Sequence, residues 1–191
     1  EPDARDSLAA RAARESSSVE RLAMDHLVES DFQGMLYFPL FNYSNGNLDV
    51  LKTLHSSEHT LMGLSDAGAH CGAICDGGMP TFMLTHWTRD REDGFSLEHI
   101  VSRQTQQTAA QFGLFDRGMI KVGLRADLNV IDYERLSLSA PEMHWDLPAG
   151  GRRLAQRAQG YVNTICHGEV IVVDDELTSA RPGRLLRRTV K

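Results

Sequence analysis

Cysteine is scarce in this chain. Three in 191 residues, Cys71, Cys75 and Cys166, are too few and too unevenly spaced for a disulfide framework, which points to a reducing, cytoplasmic setting. Long apolar runs are lacking as well: none approaches the roughly 20 residues that span a bilayer, and the opening residues are charged and Ala-rich rather than signal-like. No membrane partner is expected. Basic charge is the minority sign, 20 Lys and Arg against 26 Asp and Glu, for a formal net charge of −6. With no Lys/Arg cluster interleaved with aromatics, nucleic acid is not an expected partner either. An initiating Met is missing too, since the first residue is Glu1, and the chain is expected to be a processed or partial product. What is present suffices for a folded core: 41% of the residues are apolar, and the length fits one ordinary domain or parts of two.

The most telling stretch is Leu61-Met62-Gly63-Leu64-Ser65-Asp66-Ala67-Gly68-Ala69-His70, an apolar run that stops at an acid, followed by small residues and a histidine. A run of this length fits a buried parallel strand. In α/β barrels the loop after such a strand opens into the mouth that holds the chemistry. Asp66 is therefore the first candidate for a catalytic group, against the plainer reading of a helix N-cap or turn-closing carboxylate.

Upstream, residues 1 to 16 are rich in Ala and Arg and read as a solvated helix. Ser17 with Glu20 forms a capping box for a second helix, whose apolar stripe is Val19, Leu22, Ala23 and Leu27. Met35-Leu36-Tyr37-Phe38 reads as a buried strand, Asn42 to Asn47 as a polar loop, Leu48 to Leu54 as a short helix and Leu61 to Ser65 as the next strand. Residues 67 to 94 read as a long Gly-containing loop, with room for a helical turn at Pro80 to Trp87. Loops of that length are usually functional. Ser96 caps a further helix with Leu97, Ile100, Val101, Ala109 and Phe112 inside and Gly113 as its stop. To this point the rhythm is that of parallel α/β. It changes near residue 114: Gly118 and Gly123 bracket Met119 to Val122, Asp127 to Asp132 alternates, and Gly160 to Cys166 and Glu169 to Val173 are strands joined by a hairpin turn at His167-Gly168. The fold class is α/β plus β, with a boundary near residues 113 to 117 and an exposed basic tail from Arg181 to Lys191.

Several titratable groups share the long loop, namely His70, Asp76, His86 and Arg89, and together with Asp66 they form a cluster of the sort that shifts pKa values in a cleft. His86 and Arg89 read equally well as surface polar residues. His70, Cys71 and Cys75 lack the second ligand pair that structural zinc requires, and the two cysteines read as small buried residues lining a loop. His55-Ser56-Ser57-Glu58-His59 fits H-x-x-E-H, in which two histidines on one helical face grip zinc. Placed between a short helix and a strand, it has little helix to hold that geometry and reads as a polar loop.

Taken together, Gly63 to His70, Leu84-Thr85-His86-Trp87-Thr88-Arg89-Asp90-Arg91, Phe115 to Ile120 and Gly123-Leu124-Arg125-Ala126-Asp127-Leu128-Asn129-Val130-Ile131-Asp132 resemble the C-terminal part of the D-aminoacylase or N-acyl-D-amino-acid deacylase group of the amidohydrolase superfamily. The resemblance continues through Gly150 to Leu154, Gly168-Glu169-Val170 and Arg181-Pro182-Gly183-Arg184-Leu185, nearly the whole chain. The Gly-x-x-Ala-Asp-Leu-x-Val-x-Asp pattern is common to many amidohydrolases. His-Trp-Thr-Arg-Asp and Arg-Pro-Gly-Arg point to the subgroup.

The resemblance implies that residues 1–113 are the last units of a (β/α)8 amidohydrolase barrel and residues 114–191 the C-terminal portion of a composite β-sandwich. It implies a metal-dependent hydrolase of the linear amide bond in N-acyl-D-amino acids, with one or two zinc ions whose ligands lie mostly outside this chain. Asp66 then serves as general base and metal contact, moving a proton from water to the departing amine. His70, His86 and Arg89 become contacts to the N-acyl amino acid, where a cation can meet its carboxylate. The family's His-x-His after the first strand, its bridging lysine or cysteine and its two later histidine ligands have no counterpart here, and a full barrel needs about 250 residues. The chain is therefore expected to be inactive alone and to associate with itself or with the missing N-terminal part. The alternatives are an amidohydrolase acting on cyclic amides, or a non-catalytic assembly fragment whose open barrel edges another polypeptide covers.

Overall fold

Serine hydroxyls start the first two α-helices. In the computed structural model, which describes residues 1–63, 65, 67–68, 70–73 and 76–186, Ser7 Oγ accepts from Ala10 N at 3.2 Å and opens α1 (Leu8–Glu15). Ser18 Oγ accepts from Arg21 N at 3.1 Å and opens α2 (Val19–Glu29). The expected cap, Ser17, is engaged elsewhere: Ser16 takes φ 50° and the Ser17 amide donates back to Ala12 O at 3.0 Å, closing α1. The cap of α2 is displaced by one residue as a result. Ala12 and Leu22 are buried where the two helices pack. α3 (Asp49–Ser56) stands within two residues of its expected bounds. These elements belong to one unit, Glu1–Thr60; the second is Leu61–Lys191.

One expected strand is corrected by the structure, while a second, Leu61 to Ser65, includes Leu64, which lies outside the described residues. Met35 to Phe38 is irregular, with Tyr37 and Phe38 77% and 79% exposed. Among the described residues no ladder includes this segment or Leu61 to Ser65. A buried parallel strand is defined by hydrogen bonds along its edges and helices over its faces, which an apolar run cannot supply by itself.

In the second unit a 3₁₀ turn (Asp76–Gly78) leads into α4 (Met79–Thr85), which widens into a π turn (His86–Asp90) closed by Arg91 N donating to His86 O at 2.9 Å. Residues 79 to 90, where the sequence left room for a helical turn at Pro80 to Trp87 within a long loop, are thus helical throughout and bury Thr81, Met83, Leu84, Thr85 and Trp87. Trp87 is 0% exposed, with the Phe95 ring 5.7 Å away and the Arg91 guanidinium 4.7 Å from the indole centroid. Phe95 N donates to Trp87 O at 2.7 Å, and a Cβ on Gly94 would stand 2.1 Å from that same oxygen, so only glycine permits the crossing.

Ser96 caps α5 (Leu97–Ser102), its Oγ accepting from His99 N at 3.2 Å. A second π turn (Arg103–Gln107) leads into α6 (Thr108–Gln111), and Gly113 with φ 73° ends the helix. Cap and stop agree with the sequence. The buried face does not: Ile100 and Arg103 are buried while Leu97, Val101 and Phe112 are exposed. The π turn at residues 103–107 interrupts the regular 3.6-residue period on which that face was read.

All described strands come after residue 127. They are β1 (Leu128–Ile131), β2 (Ser137–Leu138), β3 (Glu142–Leu147), β4 (Gly151–Ala155), β5 (Ala158–Gln159), β6 (Tyr161–Cys166), β7 (Glu169–Val173) and β8 (Glu176–Leu177). The antiparallel sheet β1-β6-β7-β8 accompanies the pairs β2-β5 and β3-β4. His167 (φ 53°) and Gly168 (φ 81°) make the expected two-residue hairpin turn, the two positive φ angles suiting the strand twist. Met119 to Val122 lies outside the ladders, with Ile120 91% exposed.

Thr81 Oγ1 and Tyr161 OH, 2.7 Å apart, tie α4 to β6, and Thr88 Oγ1 and Tyr133 OH, 2.6 Å apart, tie the π turn to the segment after β1. Beside them Gly160, φ 101°, presses on the backbone of fully buried Leu136: a Cβ there would lie 2.8 Å from Leu136 Cα. Gly160→Ala should therefore lower stability by about 2 kcal/mol or more. Gly183→Ala, with nothing within 4 Å of the added carbon, should stay within about 0.5 kcal/mol of the parent in the same urea titration.

Candidate active site

The end of α4 carries two of the expected site residues. His86 is half-buried, its ring stacked on Phe82 at 4.7 Å and edge-on to Trp87 at 5.3 Å, so aromatic packing fixes the imidazole plane. Three residues on, Arg89 Nη1 donates to Tyr133 O at 2.9 Å and to Leu136 O at 3.0 Å, and Nε donates to Asp90 Oδ1 at 2.7 Å. The Asp90 carboxylate holds this guanidinium above its ordinary pKa, against a smaller opposing effect of burial. Arg89 thus ties the π turn to the β1–β2 connection, a use of its donors that spacing along the chain does not reveal.

His70 is exposed on the turn after Ser65, with φ 43° and its carbonyl accepting from Ala73 N at 2.7 Å. Asp66 and Cys75 lie outside the described residues. Cys71 joins this turn to β4: its carbonyl accepts from Leu154 N at 2.6 Å and its thiol donates to Arg152 O at 3.6 Å. The structure therefore brings the loop after Ser65 against the β3–β4 hairpin, a neighbour on which the sequence is silent. Asp76, in the same loop, opens the 3₁₀ turn before α4. In His55-Ser56-Ser57-Glu58-His59, α3 ends at Ser56 and Ser57 is extended, so the two histidines do not share a helical face. Among the described residues no three His, Cys, Asp or Glu side chains stand close enough together to hold a metal ion, and these residues by themselves do not make a metal centre.

The Gly123 to Asp132 pattern has a structural meaning that its spacing does not disclose. Asp127 accepts from Arg125 Nε at 2.8 Å, from Arg117 Nη1 at 3.2 Å and from the His167 amide at 2.8 Å, while Gly168 N donates to Ala126 O at 2.9 Å. One carboxylate thereby fastens the β6–β7 turn to the chain before β1. Burial alone would raise the Asp127 carboxyl, but the His167 amide, Arg125 and Arg117 outweigh it and hold it below the ordinary carboxylate value.

Comparison with known proteins gives this arrangement a family. Residues 4–172 match the model described as the Amidohydrolase family. The chain belongs to the amidohydrolase family. Among individual relatives, the allantoinase of Streptomyces avermitilis is 28% identical over 154 residues, covering 76% of this chain and 32% of the allantoinase. The D-aminoacylase of Alcaligenes xylosoxydans xylosoxydans is 33% identical over 107 residues, covering 56% of this chain and 20% of that enzyme. A D-aminoacylase crystal structure, described as defining a novel subset of amidohydrolases, matches with 33% identity and a TM-score of 0.46 over 57% of this chain and 21% of its own. A second, concerned with the binuclear metal centre of D-aminoacylase, matches with 32% identity and the same TM-score, over 57% and 21%. This amidohydrolase chain thus spans 32% of the first of these relatives and 20% of the second.

The depressed Asp127 value fixes the sign of a pH effect. Its contribution to stability is full above the unfolded carboxylate value of about 3.9 and is lost as pH falls through the lower folded value. In urea unfolding, Asp127→Asn should be less stable than the parent by about 2 kcal/mol at pH 7, and the gap should close toward pH 3. A gap that does not change with pH would count against the charged network.

Proposed function

We propose that this chain is the C-terminal portion of a metal-dependent amidohydrolase that cleaves the linear amide bond of N-acyl-D-amino acids. The observation that carries the reading is the family match along residues 4–172, joined to the similarity to D-aminoacylase over 107 residues. On this reading residues 1–113 contribute the last barrel units and residues 114–191 a share of the β-sandwich. Zinc, as one or two ions held mainly by ligands outside this chain and contacted by Asp66, supplies the polarisation of the amide carbonyl. Asp66 takes a proton from the attacking water and delivers it to the departing amine, which requires hydrogen-bond reach to both. His70, exposed on the same loop, contacts the substrate. His86 and Arg89 are proposed as further substrate contacts, their side chains held in place by ring stacking and by carbonyl bonds.

The exposed apolar run of Tyr37, Phe38, Leu40 and Phe41 supports association with an N-terminal part or a second copy of the chain. No helix among the described residues is long and apolar enough to cross a membrane; a cytoplasmic location belongs to the same proposal. The allantoinase similarity favours one second reading, an amidohydrolase of cyclic amides.

The complete protein supplied with zinc is expected to release free D-amino acid from N-acetyl-D-amino acids. Asp66→Asn should lower kcat by about 10²- to 10⁴-fold, and the 191-residue chain alone should show no turnover. Opening of cyclic amides with linear amides untouched would transfer the assignment to the second reading. Full turnover by Asp66→Asn would remove the proton-transfer role.

A further inference from the structure

We propose that Arg152, on the β3–β4 hairpin, receives the carboxylate of the substrate, and that this hairpin is a wall of the substrate site. The inference rests on the proposed N-acyl amino acid activity. One edge of β4 pairs with β3, Met143 opposite Leu154 and His144 opposite Arg153. Its other edge takes the loop after Ser65, through Leu154 N to Cys71 O at 2.6 Å and Cys71 Sγ to Arg152 O at 3.6 Å. Backbone on both sides thus pins the strand at the residue that matters. The Arg152 stem lies across the loop: its Nε and Cγ stand 3.6 and 3.9 Å from where a Cβ on Gly72 would be, two residues after His70. Glycine at 72 lets the stem come this close, and packing along the loop backbone limits the side-chain freedom that a surface arginine would otherwise lose on binding.

Several other cations on the same unit are already occupied. Arg153 donates to both oxygens of Asp146 at 2.7 and 2.6 Å, Arg89 to two carbonyls and Asp90, Arg91 to Asp93 at 2.6 Å, and Arg117 and Arg125 to Asp116 and Asp127. Among the described residues no acid or carbonyl accepts from the Arg152 guanidinium, whose side chain is exposed at the loop. A planar fork of donors, held beside that loop and not neutralised, suits bidentate binding of a carboxylate. In an N-acyl amino acid the carboxylate lies one carbon from the amide nitrogen, so binding it here presents the scissile bond toward the loop of His70.

Equilibrium binding of N-acetyl-D-leucine and of its carboxamide to the complete protein tests this. The parent should prefer the carboxylate by about 10- to 100-fold; Arg152→Met should abolish that preference without a change in melting temperature, and Arg152→Lys should restore part of it. Arg153→Met should keep the preference. A preference that survives in Arg152→Met, or a parent with none, overturns the proposal. Hydrolysis measured in parallel separates it from the reading on which it rests. Turnover whose KM is unmoved by Arg152→Met removes Arg152 and leaves the reaction, whereas an Arg152-dependent carboxylate preference without turnover removes the reaction and leaves Arg152.

Discussion

The buried indole of Trp87 and the chain that crosses its carbonyl organise the second unit. Removing a tryptophan of this size from water stabilises a fold by on the order of 5 kcal/mol before ordering losses. That gain is available only if the chain can turn back over it. Gly94 makes the turn possible by omitting a Cβ that would collide with the Trp87 oxygen, and the Phe95 amide then satisfies that oxygen. Because the π turn starts at His86, Thr88 and Arg89, which follow Trp87, reach Tyr133 and the carbonyls of 133 and 136, so burial of one ring also sets where the β-rich part begins.

From there the placement of the candidate site is reached by short steps. Thr81 and Tyr161 hold α4 to β6, Gly160 lets β6 start flat against Leu136, and Asp127 secures the β6–β7 turn with three donors from three segments. The β3–β4 hairpin meets the loop after Ser65 through Cys71. Apart from the bonds of Arg117 and Arg125 to Asp127, these contacts join residues far apart in the chain through backbone groups or polar side chains with a defined geometry. Asp127 shows how a family signature can mark architecture: its Arg and amide partners keep it charged at a turn.

Local features of the fold were legible in the sequence. The Ser96 cap, the Gly113 stop, the His167-Gly168 turn and the strand at Leu128 to Ile131 all depend on interactions among near neighbours, which spacing encodes. The cap at Ser17 was off by one because the closing bond of α1 claimed its amide first. Met35 to Phe38 misled as a strand, since apolar content measures a need for burial and leaves open what provides it. Of the candidate site, the loop after Ser65 was chosen on residue types alone. Arg89 was chosen for its charge and its place in a motif, and nothing in a linear pattern shows that two distant carbonyls accept from it.

By itself the sequence determined the family, the turns, most helix ends and the chemical character of the loop around His70, because these rest on residue identity and on contacts within one turn of the chain. Only the tertiary structure decided that Arg153, Arg89 and Arg117 are engaged while Arg152 stays exposed beside the loop, that residues 79 to 90 form a buried helix with a widened end, and that a hairpin far downstream stands beside that loop. Those outcomes depend on which backbone groups and carboxylates come within about 3 Å of each other after folding, a quantity set by packing and absent from any local pattern.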